Sequence, residues 1–166
     1  MKNIFMKITG GVLLALLLGF GAAQTLVSGQ EKGSERSIRS LEGVWRTTVT
    51  QRNCQTGDII RVFRGLSVYH EGGTMSETST ALPPAARSAG YGVWDKDGHS
   101  TYSGSFVFLR FNPDGTFAGT QKTTSSIVVG PTGDTYDTTT SIQVYDANDN
   151  LLGTGCATAT ATRFEQ

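Results

Sequence analysis

The chain has 166 residues, with 14 Lys and Arg against 14 Asp and Glu, and 37% of its residues are hydrophobic. It has no basic run or patch, which excludes the electrostatic footprint of a nucleic-acid or anionic-lipid binder. The length beyond the N-terminal segment suits one domain with a single core.

The first 23 residues have the three-part layout of a secretory signal peptide. Lys2 and Lys7 come first, then the apolar run GVLLALLLGF, then Gly21, Ala22 and Ala23. The apolar run is short for a membrane span, so residues 1–23 are expected to be removed on export, with an uncleaved anchor as the alternative. No cysteine lies near the expected cut, which argues against a lipidated N-terminus. Residues 24–40, QTLVSGQEKGSERSIRS, are polar and poor in large apolar groups, and are expected to form a flexible leader. Residues 41–166 are expected to form one β-barrel domain, secreted or periplasmic, with no membrane association after cleavage. The two cysteines, Cys54 and Cys156, are then expected to pair in an oxidising compartment, two separate thiols being the alternative.

Beyond the leader no helical period survives. Strand-forming residues alternate with Gly, Asn, Asp and Pro, and eight strands are predicted: 43–51, 59–70, 74–80, 91–95, 100–111, 116–128, 135–145 and 151–164. DKDG at 95–98 and NPDG at 112–115 are the clearest turns, Pro113 presetting φ and Gly115 accepting a positive one. Gly65 interrupts the second strand and predicts a bulge or a bend. Pro83 and Pro84 forbid regular pairing in 81–90. The other connections are short, so successive strands should be antiparallel neighbours in either a sandwich or an up-and-down barrel.

Closure of a barrel requires the last strand to pair with the first. Joining Cys54 to Cys156, and facing Trp45 with Arg163, demand registers that agree within one diagonal step. Parity agrees too. Trp45 and Arg163 can share the inner face, and the two cysteines the outer one. The fold class is therefore all-β, a single eight-stranded antiparallel up-and-down barrel closed by its first and last strands.

The G-x-W at Gly43–Trp45 opening the first strand, with a lone Arg163 ending the last, resembles the lipocalins and the wider calycin superfamily. The resemblance covers the two ends of the domain and its strand number. It implies that Trp45 plugs one end of the barrel and Arg163 packs across it, a structural pair held by cation–π attraction. GDTYDT at 133–138 has the letters of the family's T-D-Y motif in the wrong order, so the middle of the chain departs from the pattern.

If Arg163 points inward, so do Gly153, Gly155, Ala157, Ala159 and Ala161, a wall that leaves space. Across it, candidate inward residues are Val49, Trp94, Phe106, Phe108, Phe117, Ile142 and Val144. Gly155, Ala157, Ala159, Trp94, Phe106 and Phe108 are the candidate ligand-binding set, suited to a small hydrophobic molecule. Interdigitation of these large and small groups into a filled core is the competing expectation.

The catalytic inventory is thin. His70, Glu71 and His99 fall near closed-end turns but lack metal-ligand spacing, so no metal and no cofactor is expected. Glu77, Tyr69 and Tyr102 could serve an acid–base enzyme, yet nothing in their spacing requires it. The leading expectation is an exported, non-enzymatic binding protein holding a small apolar or amphipathic ligand in the barrel lumen. A protein-binding barrel inhibiting a secreted hydrolase, acting through residues 24–40 or 81–90, is the alternative, and a barrel-pocket cyclase or isomerase the third reading.

Overall fold

The computed structural model describes residues 40–164. The expected signal peptide and nearly all of the expected leader lie outside them. Eight strands follow in chain order: β1 (Gly43–Arg52), β2 (Ile59–Tyr69), β3 (Thr74–Ser79), β4 (Gly90–Lys96), β5 (Thr101–Phe111), β6 (Phe117–Val129), β7 (Thr135–Tyr145) and β8 (Leu151–Arg163). Each pairs antiparallel with its neighbour, and β8 pairs with β1, so the sheet is a closed up-and-down barrel. This is consistent with the lipocalin-like fold that the resemblance implies.

The closing register runs from Trp45 opposite Arg163 to Arg52 opposite Cys156. One step beyond, the chain turns at 53–58, and Cys54 is bonded to Cys156 with their Cα atoms 5.3 Å apart. The bridge is compatible with an oxidising compartment. β8 has an unusual composition for a strand, since alanine and glycine pack poorly on a pleated surface. Its outer face compensates with threonine pairs: Thr158 stands opposite Thr50 and Thr139, and Thr160 opposite Thr48.

The NPDG turn forms as its residues require. Gly115 has φ +83°, and its N–H donates to the Asn112 carbonyl. Asp114 accepts from both the backbone N–H and the hydroxyl of Thr116, which holds its carboxyl below the usual range. Asp146 does the same work in the 146–150 turn, accepting from the N–H groups of Asn148 and Asn150.

Two expectations of detail are corrected. Gly65 carries no register shift; it sits in regular pairing between Thr47 and Ser79. A Cβ there would lie 2.6 Å from Thr47 Oγ1, so the glycine answers close inward packing rather than a bulge. Phe117 is exposed, not inward. The ladder slips between Arg110 and Phe111, which places Phe117 opposite the outward-phased Phe111 and reverses its face.

Large side chains fill one end of the barrel. Leu41, Trp45, Tyr69, Met75, Trp94, Tyr102, Ile127, Val129 and Tyr136 form the buried core there. The Trp45 and Tyr136 ring centres lie 4.7 Å apart with the rings tilted by 55°, and Tyr69 meets Trp94 edge-on at 6.1 Å. Buried indole N–H groups need acceptors. Trp45 donates to the Leu41 carbonyl at 2.8 Å, and Trp94 to those of His70 and Thr74.

Candidate functional site

Above this aromatic floor the barrel is hollow. A cavity of about 240 Å³ begins at Tyr69, Ile127 and Tyr136 and rises past Thr123, Phe106 and Phe108 to Arg61, Arg110 and Val144 towards the mouth. The reason lies in β8. Its inward positions Gly155, Ala157 and Ala159 line the cavity with one methyl group or none, and their neighbours on the adjoining strands are the medium-sized Val49, Thr138 and Ile142. One side of the wall is apolar, from Gly155, Ala157, Ala159, Ile142, Phe106 and Phe108, with Thr123, Thr138 and Thr140 interspersed.

Of the residues singled out from the sequence, Gly155, Ala157, Ala159, Phe106 and Phe108 all border this cavity. Trp94 does not. Its indole lies in the closed-end core against Tyr69 and Tyr102, with its N–H engaged by backbone carbonyls. Trp45 and Arg163 meet below the floor, the guanidinium carbon 4.2 Å from the ring centre.

The polar side of the cavity comes from residues that strand patterns do not single out. Glu77 points inward from β3 and forms an ion pair with Arg87. Arg87 belongs to the connection between β3 and β4, which makes a single 3₁₀ turn at Pro84–Ala86 and then bridges to Arg110 of β5. That segment patches the wall where β3 and β4 are too short to reach the mouth. It also sends Arg87 inward, where the guanidinium donates to Ser79 Oγ at 2.7 Å and lies 3.9 Å over the Phe108 ring. Burial pushes the Glu77 carboxyl up from its ordinary value, and the Arg87 contact offsets this only in part.

At the floor, hydrogen bonds link the phenols of Tyr69 and Tyr136 with Ser67, and burial raises both hydroxyls above the usual tyrosine range. They remain protonated near neutrality. Glu77 is the one carboxylate on the cavity lining. Clamped by Arg87, it holds the patching segment against β3. His70 and His99 sit in closed-end turns and are exposed. Among the described residues no three His, Cys, Asp or Glu side chains are grouped to hold a metal ion.

Sequence reasoning missed Arg61, Arg87 and Arg110 as lumen residues. For Arg110 a signal existed, since it continues the alternation of Phe106 and Phe108 on one face of β5. Arg87 lies in a connection, where no alternation applies.

Fold and cavity together define a hollow antiparallel barrel, closed at one end by an aromatic plug and pinned near the other by a disulfide. No protein-family model matches the chain, and no curated protein matches it.

Proposed function

We propose that this is an exported, lipocalin-like binding protein that holds a small apolar or amphipathic molecule in its lumen without acting on it chemically. The supporting observation is the cavity of about 240 Å³, bounded by the small-residue face of β8 and by Phe106 and Phe108. A well-packed core of this size leaves few voids larger than a water molecule, so a space of this volume calls for an occupant. The Cys54–Cys156 bridge supports export, because such bonds persist outside the reducing cytosol.

Methyl NMR of the purified protein during titration with octan-1-ol tests this reading. Saturable shifts of the Ala157, Ala159 and Ile142 methyl signals are expected. Linear, unsaturated changes, or shifts only on the outer surface, would refute it.

A second reading, a barrel that binds a secreted hydrolase, is favoured by the way Arg87 anchors the 81–90 connection while Pro83, Pro84 and Ala85 stay exposed. A loop held in one conformation loses less freedom on docking to a partner, which favours affinity. Replacing residues 83–85 with glycines would weaken capture of such a partner and leave lumen binding unchanged.

A further inference from the structure

The cavity lining carries three arginines, Arg61, Arg87 and Arg110, against the single carboxylate of Glu77. Two of the three are engaged within the protein. Arg87 is paired with Glu77 and donates to Ser79 Oγ and the Ser88 carbonyl. Arg61 donates from Nε to Gln51 Oε1 at 2.7 Å and from Nη1 to the Ala81 carbonyl at 2.8 Å.

Arg110 differs from both. Its Nη1 is shielded from solvent and has no hydrogen-bond partner among the described residues. A guanidinium cannot shed its charge to escape that cost, so a buried nitrogen without an acceptor is a standing demand for one. The setting keeps the demand open. The cross-strand neighbour of Arg110 on β6 is Gly119, which has no side chain to offer an acceptor, and the one carboxylate on the cavity lining, Glu77, is paired with Arg87.

We propose that the lumen ligand is an amphipathic anion whose carboxylate is received by Arg110, with its apolar body running past Phe108 and Phe106 towards the closed end. This rests on the reading of the lumen as a binding site and adds the chemistry of what it takes. A carboxylate matches the guanidinium fork, and it answers the positive excess that Glu77 leaves on the lining. Arg110 lies near the mouth, with Phe108, Phe106 and the bare face of β8 below it, so a single-chain molecule enters tail first. A cavity of about 150 Å³ accepts benzene, which scales the present volume to roughly ten non-hydrogen atoms. That is the size of octanoate.

Calorimetric titration of the purified protein with octanoate and with octan-1-ol, at neutral pH, separates the charge from the chain. Octanoate is expected to bind about tenfold or more tightly than the alcohol, since hydrogen bonds to charged groups exceed neutral ones by that order. Arg110→Met should abolish the preference, bringing octanoate down to the level of octan-1-ol, and Arg110→Lys should keep part of it. Thermal melting of each variant reports whether the barrel is intact. Equal binding of the two probes by the unaltered protein, or a preference that survives Arg110→Met, overturns the anion assignment while the lumen still binds. Binding of neither probe overturns the lumen reading and this inference with it.

Discussion

Arg163 lies across Trp45 with its guanidinium carbon 4.2 Å from the ring centre, and the same group donates to the carbonyls of Ser40, Glu42 and Gly133. Gly43 makes room for it: φ there is +123°, and a Cβ would stand 2.8 Å from Arg163 Nη1. One side chain therefore ties the start of β1, the end of β8 and the turn between β6 and β7. Arg163→Ala would leave those carbonyls without their donor and uncover the indole, at a cost of about 2–4 kcal/mol. Arg163→Lys should recover less than half, because a single ammonium cannot reach carbonyls in three directions. Urea denaturation of the two variants checks both statements, and equal midpoints for lysine and arginine would contradict the second.

The disulfide joins residues 102 apart in sequence. A loop of that length removes much of the unfolded chain's freedom, worth about 4–5 kcal/mol in the chain-entropy account. The double variant Cys54→Ser, Cys156→Ser is expected to lose about that much stability, and reductant should lower the midpoint of the unaltered protein to match. A midpoint indifferent to reductant would show that the bridge contributes little.

Ala159 faces the cavity between Val49 of β1 and Thr138 of β7. In a filled core, Ala159→Leu would force strain of about 1–3 kcal/mol. Here the added atoms enter open space, so stability should change by less than about 1 kcal/mol. Binding of octan-1-ol should fall by about tenfold or more, because the new side chain occupies the ligand's volume. A large loss of stability with binding retained would contradict both expectations.

Glu77 makes stability depend on pH in a definite direction. Its carboxyl is raised above the ordinary value of 4.5 by burial, against the opposing pull of Arg87. The folded protein therefore holds the proton more tightly than the unfolded chain. The resulting stabilisation is fully present below the unfolded value and is lost as pH rises through the folded one. Urea midpoints of the unaltered protein should fall relative to those of Glu77→Gln across that interval, and parallel profiles would remove the basis for the assignment. Above that interval Glu77→Gln should be no less stable than the unaltered protein, because the amide resembles the protonated carboxyl that the fold prefers.

The barrel was legible from the sequence because its determinants are local or periodic. Strand lengths follow from the spacing of turn residues such as NPDG, and faces follow from alternation. The closing register could be read from Trp45, Arg163 and the two cysteines because antiparallel pairing permits one offset at a time. The rule failed where the ladder slips: Phe117 obeys simple parity on paper, and one extra residue beside Phe111 turns it to solvent. Trp94 was legible as inward but not by depth, and depth decides between core and cavity.

Turn spacing and alternation, with the closing register read from Trp45, Arg163 and the two cysteines, thus pointed to an eight-stranded barrel with a bare inner face on β8, because each of these is written in the residues themselves. Only the tertiary structure decided that the bareness is a cavity and not a slot for a neighbour's ring. That outcome depends on how far Phe106 and Phe108 reach across the lumen, a distance no single strand contains. The same holds for the cations. Arg87 becomes a lumen residue because a connection patches the gap left by two short strands, and Arg110 Nη1 has no acceptor among the described residues while Glu77 is paired with Arg87.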